Sequence, residues 1–167
     1  LKENKMNNLL PIFMKLEARP CLVVGGGKIA LNKIHQLVDS KALVTAVSPK
    51  ISKSIYSLPV TVINRRYQDS DLEGIKLVFA ATDDKEVNQK IFEDSNKRGL
   101  LVNVVDNPNL CSFYMGSIYQ DGDLKIAVST NGKCPSFGTY IKDHIKKFSK
   151  GLWGKALDDL AIKRENI

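Results

Sequence analysis

The stretch Pro20-Cys21-Leu22-Val23-Val24-Gly25-Gly26-Gly27-Lys28-Ile29-Ala30 passes from an apolar segment through a glycine turn into Leu31-Asn32-Lys33-Ile34-His35-Gln36-Leu37-Val38. Strand, turn and helix in that order point to a phosphate site. Gly25 and Gly27 fit the spacing G-x-G-x-x-A: the first lets the chain turn sharply, the next lets backbone approach a pyrophosphate, and Ala30 keeps the helix close to the strand. Free N–H groups around Gly26, Lys28 and Ile29, with the positive end of the helix dipole, hold phosphates without a basic side chain. The helix is amphipathic, with Ala30, Ile34, Leu37 and Val38 on one face and Lys28, Asn32, His35 and Asp39 on the other. The competing reading is a glycine turn that only packs helix on strand.

Working outward, further strands read at Ala42–Val47, Val60–Asn64, Ile75–Ala81 and Leu100–Val105. Asp83 with Glu86 three residues on has the form of a capping box, opening a helix that carries Val87, Ile91 and Phe92. Nearly continuous apolar strands alternating with helices indicate an α/β fold: a Rossmann-like, doubly wound parallel sheet with its ligand crevice at the strands' carboxyl ends, between the first and fourth. The pattern changes after Val105. Ser112–Tyr119 and Leu124–Ser129 flank Gln120-Asp121-Gly122-Asp123, a hairpin turn. Pro135 suits a first helical position, Phe137, Ile141, Ile145 and Phe148 form an apolar stripe, and Gly151 ends that helix. Leu152, Trp153, Ala156, Leu157, Leu160 and Ala161 give a last amphipathic helix with apolar surface for a partner. The expected organisation is residues 1–111 as a dinucleotide-binding domain, 112–134 as a hairpin segment and 135–167 as a C-terminal helical segment.

The chain has 167 residues, 43% hydrophobic and 26% charged, within the range of an ordinary globular protein. No apolar run approaches the roughly 20 residues that span a bilayer, and the start lacks a secretion-signal pattern, so the expectation is a cytoplasmic protein without a membrane partner. Cys21, Cys111 and Cys134, like His35 and His144, are too scattered for a metal site. A formal charge of +7 with dispersed lysines, the densest group being Lys142, Lys146, Lys147 and Lys150, reads as solvated surface or a field for an anionic small molecule. Nucleic-acid binding is not expected, because clustered basic residues interleaved with aromatics are missing.

Together, Leu10-Pro11-Ile12-Phe13, Val23–Ala30, Ala80-Ala81-Thr82-Asp83-Asp84 with Asn88, Asn103-Val104-Val105-Asp106, and Ile126–Pro135 resemble the precorrin-2 dehydrogenase family, met also as the dehydrogenase part of sirohaem synthases and in bifunctional dehydrogenase/ferrochelatases. The match runs from about Leu10 to Lys147. The resemblance implies NAD-dependent oxidation of precorrin-2, an anionic tetrapyrrole, to sirohydrochlorin, by a homodimer that the hairpin helps to join; metal insertion at the same site is left open. Asp106 matches the family's catalytic aspartate and is the candidate base, its other reading being a cap for the Asn107-Pro108-Asn109 turn. Asn103 is a neighbouring polar contact or a strand-end hydrogen bonder. The resemblance places Thr82 and Asp83 near the cofactor, and the loop Thr130-Asn131-Gly132-Lys133 near substrate carboxylates. The second strand ends at Val47-Ser48-Pro49-Lys50 without the acid that grips ribose hydroxyls, leaving Ser48 for the ribose and Lys50 able to tolerate a 2′-phosphate. Other departures are Asn32 where many members have arginine, Cys134 for serine, Asn131 for glycine, and a short helical tail. A non-catalytic NAD-sensing module is the alternative.

Overall fold

A computed structural model describes residues 7–165 and divides them into two units, Pro11–Phe113 and a second containing residues 7–10 and 114–165. In the first unit, strands β1 (Pro20–Val24), β2 (Leu43–Val47), β3 (Thr61–Ile63), β4 (Leu77–Ala80) and β5 (Leu101–Val104) form one parallel sheet in the order β3-β2-β1-β4-β5. That is the order of a doubly wound Rossmann sheet, whose direction of growth reverses at β1 and opens a crevice between β1 and β4.

Alternation along each strand divides the core between two faces. Cys21, Val23, Ala46, Leu77 and Phe79 meet Ala30, Ile34 and Leu37 of α1 (Lys28–Asp39). Leu22, Val24, Val78, Ala80, Val102 and Val104 meet Ile91 of α3 (Lys85–Lys97). Every residue of β4 is buried, so the strand's unbroken apolar run follows from helices on both sides. Phe79 is 1% exposed, and its truncation to alanine costs ~3–5 kcal/mol. A one-turn helix, α2 (Lys53–Tyr56), and two 3₁₀ turns at Asp69–Leu72 and Pro108–Leu110 complete the unit.

In the second unit β6 (Ser117–Asp121) and β7 (Leu124–Val128) pair antiparallel around Gly122, whose φ of 57° supplies the left-handed turn residue. α4 (Pro135–Ser149) packs on this hairpin through Gly138, where a Cβ would stand 3.1 Å from the Ser117 hydroxyl. α5 (Trp153–Glu165) follows.

One expectation is corrected. The hairpin begins at Ser117, because residues 111–113 belong to the sheet's edge: Asn103 bridges Cys111, the Ser112 N–H donates to the Val102 carbonyl at 2.8 Å, and Phe113 packs edge-on to Phe79 at 5.5 Å. The apolar stripe on α4 is half-buried at Ile141 and Ile145, while Phe137 is 54% and Phe148 79% exposed. Lys150, at φ 50°, is the C-cap of α4, and Gly151, left-handed just beyond it, ends the helix as expected.

Candidate active site

At the crest between β1 and β4 lies a cavity of about 960 Å³. Gly25, Gly26, Gly27, Lys28 and Ile29 form its floor, Ser48–Ser52 with Arg66 and Tyr67 one wall, and Ala81–Asp84, Val87, Val105 and Asp106 the other. The fold therefore gathers all eight residues expected at the cofactor, Gly25, Gly26, Gly27, Lys28, Ile29, Ser48, Thr82 and Asp83, and adds Asp106 to the same rim.

The glycine requirement is steric and differs along the turn. Gly25 has φ 135°, and a Cβ there would stand 2.3 Å from the Ala81 carbonyl oxygen. A Cβ on Gly26 would approach the Lys50 carbonyl oxygen to 1.9 Å. Gly27, in contrast, opens onto empty space with nothing within 4 Å. It is the N-cap of α1, no side chain caps that helix, and its first turn carries no acid. The first intrahelical bond runs from the Leu31 N–H to the Gly27 carbonyl, so the N–H groups of Lys28 and Ile29 precede the helical ladder. An uncapped helix start beneath a vacant glycine is a cradle for a pyrophosphate, and the residues present fit a dinucleotide.

The walls are braced from within. Ser48 donates its hydroxyl proton to the Lys50 carbonyl at 3.0 Å and accepts the Lys50 N–H at 3.4 Å, so its proton is committed within the wall. The Thr82 hydroxyl lies 2.7 Å from Asn88 Oδ1 and accepts the Asp84 N–H at 3.2 Å, while Asn88 Nδ2 donates to the Thr82 carbonyl at 2.9 Å. Thr82 thus fixes the loop after β4. Asp84, not Asp83, caps α3, accepting from the N–H groups of Glu86 and Val87 at 3.0 and 3.1 Å; the cap needs an acceptor two and three residues before those donors, and Asp83 is one residue too early. Asp83 is left exposed on the cavity wall.

Asp106 follows β5 in a left-handed conformation at φ 59°, which aspartate tolerates better than most residues. The turn is held by the Val105 N–H donating to the Ala80 carbonyl at 2.9 Å and by Cys111 Sγ, 3.2 Å from the carbonyl oxygens of both Val104 and Asn107. Asn107 is the N-cap of the following 3₁₀ turn, and it makes no side-chain cap bond. The Asp106 carboxylate is exposed and makes no hydrogen bond or ion pair among the described residues, so capping is not its role. Asn103 is buried and does not line the cavity; its Nδ2 donates to the Phe113 carbonyl at 2.9 Å and lies 3.5 Å from Cys111 Sγ, which makes it a brace for that turn. Thr130, Asn131, Gly132 and Lys133 form the loop between β7 and α4 in the second unit, where the Lys133 N–H donates to the Thr130 carbonyl at 3.0 Å and Asn131 is left-handed at φ 53°.

Sequence reading missed Arg66 and Tyr67, which reach the cavity because β3 lies beside β2; the topology was the available signal. Lys33 of α1 lies outside this lining, its ammonium 5.6 Å from the centre of the Phe79 ring. Burial holds Lys33 below the usual lysine range, opposed by the nearby Cys111 and Asp106. Among the described residues no group of three or more His, Cys, Asp or Glu side chains is placed to hold a metal ion, and no helix is long and apolar enough to cross a membrane.

A family model described as "Putative NAD(P)-binding" matches residues 12–117. The chain belongs to this NAD(P)-binding family. A second model, described as sirohaem biosynthesis protein central, matches residues 121–147. The siroheme synthase of Methylobacillus flagellatus is 39% identical over 162 residues, covering 95% of this chain and 35% of that protein. That of Ectopseudomonas mendocina is 38% identical over 148 residues, covering 87% and 32%. The chain spans about a third of the length of these curated relatives. Among solved structures, the precorrin-2 dehydrogenase SirC matches with a TM-score of 0.79 at 25% identity, over 90% of this chain and 76% of that one. The resemblance read from the sequence is thereby borne out, as is the Rossmann-like sheet with its hairpin and C-terminal helices.

Proposed function

We propose that the chain is an NAD-dependent precorrin-2 dehydrogenase that forms sirohydrochlorin, with Asp106 as its general base. The observation that carries this reading is the unpartnered Asp106 carboxylate on the rim of the same cavity that Gly25–Gly27 floor. When bound, the nicotinamide accepts a hydride from the substrate. Oxidation of the macrocycle also releases a proton, and the Asp106 carboxylate on the cavity rim would take it. The left-handed turn, locked by Cys111 and Asn103, fixes where that carboxylate stands. Lys28, Ile29 and the glycines hold the pyrophosphate, and Ser48 accepts from the adenosine ribose.

Kinship with SirC, a precorrin-2 dehydrogenase, supports the precorrin-2 substrate, and NAD rather than NADP rests on the family resemblance of the sequence. Lys133 and the N–H groups of Thr130–Gly132 are proposed substrate-carboxylate contacts, and the exposed apolar residues of α4 and α5 fit a homodimer. A cytoplasmic location accords with a soluble cofactor and substrate. The test is oxidation of enzymatically made precorrin-2 with NAD and NADP in parallel. Turnover with NAD is expected; NAD binding without turnover would favour a cofactor-sensing module.

A further inference from the structure

We propose that the adenosine end of the cavity accepts a 2′-phosphate, so that NADP serves this chain as well as NAD, with Arg66 gripping the added phosphate and Lys50 beside it. The inference rests on the cavity being a dinucleotide site. In a doubly wound sheet the adenosine ribose lies at the end of the second strand, where an acid that binds the 2′-hydroxyl selects NAD and repels a 2′-phosphate. Here β2 ends at Val47 and runs into Ser48-Pro49-Lys50, and the Ser48 proton is already given to the Lys50 carbonyl. β3 lies alongside, with Val47 opposite Ile63 and the Ser48 N–H donating to the Ile63 carbonyl at 3.2 Å, so the chain leaving β3 emerges beside the same ribose position. That chain carries Arg65 and Arg66.

The two arginines differ in what they meet. Arg65 is engaged by the fold, its guanidinium forking onto both carboxylate oxygens of Asp71. Arg66 lines the cavity, and its guanidinium makes no hydrogen bond or ion pair among the described residues. Lys50 lines the same wall, and its backbone is held against the glycine turn, where the Ser52 N–H donates to the Gly26 carbonyl at 2.9 Å. No acid stands on this wall; the carboxylates of the lining, Asp83, Asp84 and Asp106, are all on the side of β4 and β5. A 2′-phosphate therefore meets two cations and no like charge, and a guanidinium fork matches the spacing of phosphate oxygens. The simpler account is a pair of exposed, solvated cations that touch no ligand. That account predicts no change in NADPH binding relative to NADH when either is removed.

The experiment is equilibrium titration of NADH and of NADPH into wild type, Arg66→Gln, Arg66→Lys and Lys50→Gln at low and high salt, with precorrin-2 oxidation by NAD and NADP alongside. Wild type should bind NADPH no more than about threefold more weakly than NADH. Loss of one charge-assisted contact should weaken NADPH by about tenfold or more in Arg66→Gln and leave NADH within about threefold of wild type. Arg66→Lys should recover part of that loss, Lys50→Gln should show a smaller loss in the same direction, and added salt should weaken NADPH more than NADH. In turnover by Arg66→Gln the KM for NADP should rise with kcat near wild type. A wild type that binds NADPH more than about threefold more weakly than NADH overturns the proposal and leaves the NAD site standing. So does an Arg66→Gln variant that loses affinity for neither dinucleotide, or for both in parallel. A wild type that binds neither overturns the dinucleotide reading itself, and this inference with it.

Discussion

The three glycines of the β1–α1 turn differ in what an added methyl would meet. At Gly25 and Gly26 it would strike backbone carbonyls, and Gly25 also has a φ that side chains avoid, so alanine at either position should destabilise the fold by ~3 kcal/mol or more. Gly27→Ala meets nothing and should unfold within a few degrees of wild type, yet bind NADH about tenfold more weakly because its methyl enters the phosphate cradle. Thermal melts with and without NADH check both. The cysteines offer a second residue-scale test. Burial pushes the Cys21 thiol up to about 11 and raises Cys111, while a hydrogen bond from Ser136 and the start of α4 lower Cys134. Iodoacetamide at neutral pH should label Cys134 first and Cys21 only on unfolding; mass spectrometry of a time course decides it.

Among the elements, the start of α3 depends on one side chain. Asp84→Ala should cost ~1 kcal/mol in urea denaturation, whereas Asp83→Ala should be nearly silent. The turn after β3 behaves differently with pH. Burial raises the Asp71 carboxyl, but the Arg65 guanidinium and the Gln68 N–H outweigh it and hold the group below the ordinary carboxylate range. A lowered folded value means stability present above the unfolded value, near pH 4, and lost as pH falls through the folded one. Asp71→Asn should therefore be less stable at pH 7, with the gap closing in acid. The strands, α1 and α3 were legible in the sequence because apolar runs and 3.6-residue spacing report burial directly. The hairpin's true start was not, since Ser112 and Phe113 have strand-like composition but are captured by the edge of β5, a long-range contact that local pattern does not encode. Asp83 and Asp84 are equally good caps by type, and only backbone geometry chooses between them.

Across the whole molecule, one motif carried most of what could be read in advance. A glycine turn between an apolar strand and an amphipathic helix, followed by four more apolar strands and a helix after the fourth, leaves few topologies, and the observed sheet is the doubly wound one expected. The site was legible where backbone makes it, at Gly25–Ile29, and less so where side chains converge from distant segments, as Arg66 and Tyr67 do. Dinucleotide binding should raise global stability by ~2.7 kcal/mol at a hundredfold excess over Kd. The central claim is that Asp106 works as a base beside the bound dinucleotide. Its most direct test is single-turnover oxidation of precorrin-2 by Asp106→Asn, a substitution that keeps size and tolerates the left-handed φ. The account predicts a fall in rate of about a hundredfold or more with NADH affinity unchanged; oxidation at the wild-type rate would contradict it.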